Sequence, residues 1–241
     1  MRVLAVIPSR YESSRFPGKP LVDLAGKSMI CRVYEGVKNS NLISEVIVAT
    51  DDQRVFDEVE SFGGAVMMTS SNHASGTERC IEVANSMGDF DVLINIQGDE
   101  PLVDVVQIEQ LIDAFDDKSV NIATLASENI SAEELTNSNR IKLIVNSSND
   151  AMYFSRSVIP NDSKKDNTFP YLKHIGLYAF RKEALTRIAS MKVCVLEKTE
   201  SLEQLRWLFY GEKIRVVHTS IETPNIDAPE DVEKVLSLLN K

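Results

Sequence analysis

The chain has 241 residues, of which 36 are acidic and 26 are basic, so its formal net charge at pH 7 is -10. This charge argues against a nucleic acid or an anionic membrane surface as a partner, since both require a basic face. No apolar run approaches the roughly 18 residues of a membrane-spanning helix. With 43% hydrophobic and 26% charged residues, the composition is that of a globular protein, and we expect a single domain, residues 1–241, with a sizeable lobe.

From the N-terminus to residue 115, apolar runs typical of strands alternate with helical patterns. The strand-like runs cover residues 3–7, 45–50, 65–68 and 91–96. The helical patterns cover residues 29–38, 54–62, 77–87 and 105–115. Continuous apolar runs suit central parallel strands that are covered on both faces. The alternation therefore predicts a three-layer α/β fold with a mostly parallel sheet.

Beyond residue 120 the order of the elements changes. Strand-like runs at 121–126, 140–146, 152–155 and 174–180 are separated by loops rich in Ser, Asn, Asp and Lys. We interpret about 120–200 as an inserted antiparallel lobe, with a polar, mobile loop at 161–167. A helix over 202–210, a strand over 213–218 and a helix from Pro229 to Leu239 return the chain to the main sheet.

The loop after the first strand concentrates positive charge. Arg10, Arg15 and Lys19 lie within ten residues of one another, beside Gly18 and two prolines. Glycine lets backbone N–H groups approach oxygen atoms and proline stiffens the loop. Three cations in an otherwise acidic chain therefore indicate a site for one small polyphosphate ligand. The spacing matches neither a Walker loop nor the G-x-G-x-x-G pattern.

Acidic residues follow other strands of the predicted sheet. Ligands of such sheets bind at the carboxyl ends of the strands, so the phosphate loop and the segments 50–52 and 97–99 should converge on one edge. Asp99 follows a strand and Asp227 precedes the last helix. Two carboxylates suit Mg²⁺, which needs few protein ligands when phosphate oxygens and water complete its octahedron. Taken singly, Asp99 could be a turn residue and Asp227 a helix cap.

Six motifs in order relate the chain to a known family. Besides the loop at 8–20, they are Ser75–Thr77, Gln97–Pro101, Lys173–Gly176, Ser201–Arg206 and Asp227–Asp231. In this set the chain resembles the 3-deoxy-manno-octulosonate (Kdo) cytidylyltransferases, also called CMP-Kdo synthetases, from residue 2 to about residue 235. The resemblance implies a Rossmann-like nucleotidyltransferase sheet and CMP transfer from CTP.

The resemblance also implies roles for the nucleotide-site residues. Asp99 and Asp227 correspond to the family's Mg²⁺ carboxylates, and together with Arg10 and Lys19 they form the expected catalytic set. The expected nucleotide-binding residues are Arg10, Arg15, Lys19, Ser75, Gly76, Thr77 and Gln97. Without the resemblance, the segment 75–77 would more often be a loop with a helix cap.

A second set of residues suits a sugar acid, whose carboxylate and hydroxyls call for a cation with neutral hydrogen-bonding groups. The expected sugar-binding residues are Arg156, His174, Tyr178, Glu203 and Gln204. Glu200, Glu203 and Gln204 have the spacing of one polar helix face. The alternatives are a solvated helix face, a half-buried structural histidine at 174, and an ion pair between Arg156 and Asp150 or Asp162.

The leading hypothesis is a Kdo cytidylyltransferase that feeds lipopolysaccharide assembly and depends on Mg²⁺. Within the same chemistry, the acceptor could be 8-amino-Kdo or a related sugar acid. A sugar-1-phosphate nucleotidylyltransferase fits the motifs at 173–176 and 201–206 less well. A catalytically silent nucleotide-binding module is the non-enzyme alternative, which would be expected to have lost Lys19, Asp99 or Asp227.

Cysteine use and the N-terminus complete the expectations. Cys31, Cys80 and Cys194 are odd in number and lie in apolar-periodic segments, so we expect buried thiols. The apolar stretch at 3–7 is too short for a signal peptide, which makes the cytoplasm the expected location and membrane insertion unexpected. The resemblance implies a homodimer, and apolar residues at 159, 169, 171 and 172 would be exposed for such a contact.

Overall fold

The computed structural model describes residues 1–13, 15–161 and 169–239. The chain forms two compact units, one of residues 1–109 with 223–241 and the other of residues 110–222. The polar loop expected at 161–167 lies outside the described residues except for Asn161. None of the helices in the described part of the chain has the length and apolar character needed to cross a bilayer.

Within the described residues the chain forms nine strands. They are β1 (Val3–Pro8), β2 (Glu45–Thr50), β3 (Val66–Met68), β4 (Val92–Asn95), β5 (Ile122–Ser127), β6 (Lys142–Val145), β7 (Ala151–Ser155), β8 (Leu172–Arg181) and β9 (Arg215–His218).

The described residues also form nine α-helices. They are α1 (Met29–Lys38), α2 (Gln53–Ser61), α3 (Gly76–Ser86), α4 (Val105–Asp113), α5 (Ala132–Thr136), α6 (Lys182–Ala189), α7 (Val195–Glu200), α8 (Gln204–Phe209) and α9 (Asp231–Leu239).

The first unit is built on a parallel sheet in the order β3-β2-β1-β4. Ala5 of β1 lies opposite Val46 of β2 on one side and Ile94 of β4 on the other. Strands β1 and β4 are buried over nearly their whole length, as expected for apolar runs with helices on both faces. The parallel α/β prediction is confirmed, and its strands end in the segments that were expected to converge.

Three helices of this unit begin at side-chain caps that follow strands or turns. The hydroxyls of Ser28 and Ser75 and the carboxylate of Asp52 accept backbone N–H bonds from the first turns of α1, α3 and α2. Each cap satisfies one of the N–H groups that a helix start leaves unpaired. The caps therefore determine where α2 and α3 leave the carboxyl edge of the sheet.

The last helix begins later than the sequence indicated. Pro229 was predicted as its start, but α9 begins at Asp231. The Asp231 carboxylate accepts N–H bonds from Asp227 and Ala228, both at 2.9 Å, and so closes a separate turn before the helix. Ile226 is buried in a cluster with Leu24, Met29 and Val235, which anchors this turn to the core of the first unit.

The second unit contains mostly antiparallel pairings. β5 runs antiparallel to β8 and parallel to β9, and β6 runs antiparallel to both β7 and β8. The register between β5 and β8 shifts after Thr124, which lies opposite Tyr178, while Leu125 lies opposite Ile175. Two residues of β8 are therefore accommodated in a bulge.

The helical interpretation of residues 200–210 was wrong in one respect. Ser201 has a φ of 52°, a left-handed conformation that ends α7, and α8 begins only at Gln204. Glu200 therefore ends α7, while Glu203 and Gln204 lie at the start of α8. The three residues do not form the single polar helix face that their spacing predicted. Phe209, the last residue of α8, is 53% exposed. The three cysteines are buried free thiols, as predicted.

A buried lysine fastens α5 to β8 in the second unit. Ser131 and Glu134 form a capping box at the start of α5, and Glu134 also accepts a bond of 2.8 Å from Lys173 Nζ. Lys173 is 8% exposed and pairs with Glu222 as well. The Lys173 ammonium, with the N–H of Ser131, lowers the pKa of Glu134 from 4.5 to about 2.

Replacement of Glu134 by glutamine is expected to cost about 2 kcal/mol of stability at pH 7. Because the folded-state pKa of Glu134 lies below its unfolded value, this stabilisation is complete above about pH 4.5 and is lost as the pH falls towards 2. Urea unfolding between pH 3 and 7 should therefore show a flatter acid limb for Glu134→Gln. Glu133→Gln, an exposed neighbour in the same turn, is the control, and equal stabilities of both variants at pH 7 would refute the assignment.

Candidate active site

The cationic loop after β1 brings Lys19 against both predicted metal carboxylate segments. Gly18 has a φ of 74°, which glycine adopts without steric cost, and its turn opens a short 3-10 helix over Lys19–Leu21. From there Lys19 Nζ donates to Asp99 Oδ2 and to the carbonyl of Ile226, both at 2.8 Å. One ammonium thus joins the segment after β4 to the turn before α9.

A backbone bond and a second ion pair complete this junction. The N–H of Ile226 donates to the carbonyl of Asp99 at 2.9 Å. Arg15 donates to Asp227 Oδ1 at 2.9 Å, and both side chains of that pair are well exposed. The structure therefore brings Asp99, Asp227, Arg15 and Lys19 together in the first unit, as the sequence predicted.

Arg10 differs from the other two cations. Its side chain is exposed, and no hydrogen bond or ion pair engages its guanidinium within the described part of the chain. Arg10 lines a cavity of about 400 Å³ together with Lys19, Gln97 and Asp99. The buried hydroxyl of Ser9, which also lines this cavity, has no hydrogen-bond partner among the described residues. The cavity therefore offers a guanidinium and a hydroxyl to an anionic ligand.

Gly98 allows the segment after β4 to lie against the end of β1. A Cβ atom at residue 98 would lie 2.8 Å from the carbonyl oxygen of Pro8, closer than real Cβ atoms approach backbone. The segment after β4 therefore lies directly against the end of β1, which is where the phosphate loop begins.

We expect Gly98→Ala to reduce kcat/KM for the nucleotide about 10- to 100-fold, because the added methyl group must push Asp99 or the phosphate loop out of place. Steady-state kinetics with varied nucleotide would measure the loss. Gly88→Ala is the matched control, since a Cβ there meets no atom within 4 Å. Equal kinetics of the two variants would show that the close approach at Gly98 does not matter for the use of the nucleotide.

The start of α3 lies beside the end of β1. A Cβ at Gly76 would be 3.5 Å from the Pro8 ring, so the segment 75–77 borders the same edge of the sheet. Ser75, not Thr77, is the residue that caps the helix. The start of a helix attracts anions or ligand oxygens, which is compatible with the nucleotide role expected for Ser75, Gly76 and Thr77.

The burial of two ionisable groups near this edge was not predicted from the sequence. Arg79 is 1% exposed and donates to Asp51 Oδ2 at 2.9 Å and to the hydroxyl of Thr69, so it ties α3 to the ends of β2 and β3. Glu100 is also buried, and burial, reinforced by the charge of Asp99, raises its pKa to about 8. A carboxyl group with this pKa is mostly protonated at pH 7.

The donor set fits a hard cation. Asp99 and Asp227 are partly exposed carboxylates, and Asp99 Oδ1 accepts no hydrogen bond within the described residues. No group of three or more potential metal ligands occurs among those residues. Two carboxylates are a sufficient protein contribution to a Mg²⁺ site when phosphate oxygens and water provide the remaining ligands.

The predicted sugar-binding residues all belong to the second unit, where three of them cluster. The rings of His174 and Tyr178 are 5.3 Å apart, and burial followed by the charge of Glu203 raises the pKa of Tyr178 well above its ordinary value. The Tyr178 hydroxyl is buried without a hydrogen-bond partner among the described residues. These side chains form a polar group against the buried ring of Trp207.

His174 is neutral in this environment. Its ring is partly exposed, but the surrounding protein desolvates it enough to lower its pKa to about 3. Its Nε2 atom lies 2.9 Å from the hydroxyl of Thr124. Neutral imidazole has one donor and one acceptor nitrogen, so His174 suits hydrogen bonding better than pairing with a carboxylate.

Arg156 is engaged by the protein backbone. Its guanidinium donates to the carbonyls of Glu200 at 2.6 Å, Ser138 at 3.0 Å and Ser201 at 3.4 Å. The carboxylate of Glu200 in turn accepts bonds from the Ser155 hydroxyl and the Arg156 N–H. These bonds hold the turn between α7 and α8, just before Glu203 and the buried Gln204. The ion pair considered between Arg156 and Asp150 is not formed, and Asp150 pairs with Arg215 instead. Asp162, the other partner considered, lies outside the described residues.

Comparisons with known proteins agree with the fold. The chain matches the sequence model of the family described as Cytidylyltransferase over residues 4–214. A relative from Parabacteroides distasonis, named 3-deoxy-manno-octulosonate cytidylyltransferase, is 48% identical and aligns over 99% of this chain and 98% of its own length. A relative of the same name from Porphyromonas gingivalis is also 48% identical, over 98% of this chain and 96% of its own length.

One solved structure is similar over its whole length. It is the CMP:2-keto-3-deoxy-manno-octonic acid synthetase in complex with CTP, with a TM-score of 0.95 and 42% identity, covering 100% of this chain and 99% of that one. The fold and the cationic, carboxylate-bearing sheet edge therefore define a cytidylyltransferase, an enzyme of the nucleotidyltransferase class. Within that class, the chain belongs to the 3-deoxy-manno-octulosonate cytidylyltransferase family, which confirms the resemblance in its motifs.

Proposed function

We propose that this chain transfers CMP from CTP to the anomeric C2 hydroxyl of Kdo, giving CMP-Kdo and pyrophosphate for lipopolysaccharide assembly. The observation that carries the proposal is the position of Lys19, whose ammonium contacts Asp99 and the carbonyl of Ile226 beside the cavity lined by Arg10. The arrangement puts cations for a triphosphate next to carboxylates for a metal ion, in a chain of the matching family.

Mg²⁺ is the cofactor that this donor set favours, with Asp99 and Asp227 as its protein ligands. When bound, Mg²⁺ would supply charge neutralisation at the phosphates and lower the pKa of the attacking hydroxyl. The number of protein ligands is small, as the ion requires when a nucleotide shares it. The high pKa of Glu100 keeps a further negative charge out of this site at pH 7.

The reaction is an in-line displacement at the α-phosphorus. A bond forms between the sugar O2 and this phosphorus as its bond to the β-phosphate oxygen breaks, and the hydroxyl proton passes to solvent. Arg10, Arg15 and Lys19 stabilise the negative charge that develops on the departing pyrophosphate. Ser75, Gly76, Thr77 and Gln97 hold the nucleoside part of CTP, so that positioning adds to the effect of charge.

The sugar acid is proposed to bind in the second unit. His174, Tyr178, Glu203 and Gln204 offer it hydrogen-bonding groups. Arg156 supports this set through the carbonyls of Glu200 and Ser201. Its role as a direct contact of the sugar carboxylate stays a prediction.

Pyrophosphate release with Mg²⁺ and CTP tests the proposal. Kdo, 8-amino-Kdo and N-acetylneuraminate would be offered in parallel, with ATP, GTP and UTP in place of CTP as nucleotide controls. We expect release with CTP and Kdo, and a product whose mass is that of CMP-Kdo. Release with 8-amino-Kdo alone would change the acceptor but keep the chemistry. If none of the three acceptors supported pyrophosphate release although CTP bound measurably, the proposed reaction would be refuted.

We further propose a homodimer in the cytoplasm. Phe169, Phe209 and Tyr210 of the second unit are 43%, 53% and 49% exposed, which would suit a subunit contact. Leu172, one of the residues expected to be exposed, is buried. Buried free thiols and the use of CTP suit a reducing cytoplasm. Sedimentation of a species near 27 kDa alone at micromolar concentration would remove the dimer proposal.

A further inference from the structure

Thr124 occupies an unusual position behind the polar cluster of the second unit. It lies in β5, is fully buried, and faces the bulge in β8. Its hydroxyl oxygen lies 2.8 Å from the carbonyl of Leu177, 3.3 Å from the carbonyl of Ile175 and 2.9 Å from Nε2 of His174. The bulge turns two carbonyls of one strand towards a single hydroxyl.

Counting protons determines the direction of these bonds. A hydroxyl has one proton to donate, and a carbonyl has none. A contact of 2.8 Å between the Thr124 oxygen and the Leu177 carbonyl therefore requires the Thr124 proton to lie between them. With its proton committed to the carbonyls, the Thr124 oxygen can only accept from His174. The proton of the imidazole must then be on Nε2.

The protonation state of Nδ1, the other ring nitrogen of His174, follows from this tautomer. His174 is neutral, because desolvation lowers its pKa to about 3, so a proton on Nε2 leaves Nδ1 with a lone pair. Within the part of the chain that the structure describes, no group is hydrogen-bonded to Nδ1. An unprotonated ring nitrogen of this kind can accept a hydrogen bond from a ligand donor. It would bind a hydroxyl or an ammonium group and repel a carboxylate.

We propose that Thr124 is a positioning residue that holds His174 as the Nε2–H tautomer, so that Nδ1 accepts a hydrogen bond from a hydroxyl of the acceptor sugar. The inference rests on the proposed function, which it deepens by assigning His174 to a sugar hydroxyl and excluding it from binding the sugar carboxylate. It also connects the bulge in β8 to substrate recognition through one side chain on the neighbouring strand.

Nitrogen NMR of ¹⁵N-histidine-labelled protein tests the tautomer without any turnover. The chain contains three histidines, at 73, 174 and 218, so His73→Gln and His218→Gln variants identify the His174 signals by elimination. We expect His174 to show a protonated Nε2 and an unprotonated Nδ1 between pH 6 and 8. A proton on Nδ1, or an imidazolium in this range, would overturn the proposal.

Variants of Thr124 separate positioning from packing. Thr124→Val keeps the shape but removes the hydroxyl, and it should release the tautomer preference and raise KM for the sugar about tenfold with KM for CTP unchanged. Thr124→Ser keeps the hydroxyl and should restore both the spectrum and the KM. An unchanged His174 spectrum in Thr124→Val, or equal increases in both KM values, would contradict the proposal.

The two readouts also distinguish the failure of this inference from a failure of the proposed function. If the protein turned over no sugar acid but His174 showed the Nε2–H tautomer and lost it in Thr124→Val, the coupling of Thr124 to His174 would stand and the proposed reaction would be refuted. If Kdo were turned over but His174 carried its proton on Nδ1, the reaction would stand and the role of Thr124 would be refuted.

Discussion

Replacement of Asp99 by alanine is expected to lower the rate of pyrophosphate release by at least about 1,000-fold, the effect of several kcal/mol of lost charge stabilisation at the α-phosphorus. Asp99 follows β4 and accepts a hydrogen bond from Lys19, whereas its neighbour Glu100 is buried with its pKa raised to about 8. No other acidic side chain on this segment can replace it. The measurement is initial rate at saturating Mg²⁺ and CTP.

The fold of the Asp99→Ala variant should be kept, because Lys19 retains its bond to the Ile226 carbonyl. Urea unfolding would check this point. Asp89→Ala is the matched control, since the Asp89 side chain is 91% exposed and pairs with Arg2 at the surface of the same unit. An Asp99→Ala enzyme with a rate near that of the unchanged protein would exclude Asp99 as a metal ligand.

Replacement of Lys19 by alanine is expected to lower kcat about 100- to 1,000-fold, with a smaller effect on KM for CTP. The ammonium acts on charge that develops as pyrophosphate leaves, so its loss should affect the transition state more than the bound nucleotide. It also removes two hydrogen bonds, to Asp99 and to the Ile226 carbonyl, and so loosens the junction between β4 and the turn before α9.

Two further variants make the Lys19 test specific. Lys27→Ala removes a lysine of the same unit that pairs with Glu35 at the surface, and it should leave kcat unchanged. Lys19→Arg keeps the charge but should not restore activity, because the Lys19 side chain is only 13% exposed and a planar guanidinium does not fit a site shaped for a compact ammonium. A Lys19→Ala effect on KM alone would contradict a role in leaving-group stabilisation.

Much of the fold could be predicted because the strands of the first unit are continuous apolar runs. The apolar runs within residues 3–7, 45–50 and 91–96 suit buried parallel strands, and the loops that follow such strands meet at one edge of the sheet. The association of the phosphate loop with Asp99 follows from this topology. The placement of Asp227 against the same edge was inferred from the motif, and the structure shows the bonds that hold it there.

The errors arose where hydrogen bonds outside the regular helical pattern compete with helical periodicity. The pattern of residues 200–210 is helical, but the left-handed Ser201 interrupts it, and Arg156 holds the Glu200 and Ser201 carbonyls from 44 and 45 residues away in the chain. Pro229 is a good first residue of a helix, yet the Asp231 carboxylate captures the N–H groups of the preceding turn. The apolar periodicity of the sequence contains no information about the hydrogen bonds of Arg156 or of Asp231.

The amino-acid sequence by itself determined the family, the α/β class, the cationic loop and the identity of the carboxylates, because these depend on residue type, order and apolar periodicity. Only the tertiary structure decided the ionisation of Glu100, the burial of Arg79, the structural bonds of Arg156 and the proton position on His174. Each of these properties depends on desolvation or on a hydrogen bond between residues far apart in sequence. Thr124 and His174, 50 residues apart, become partners only when β5 and β8 pair.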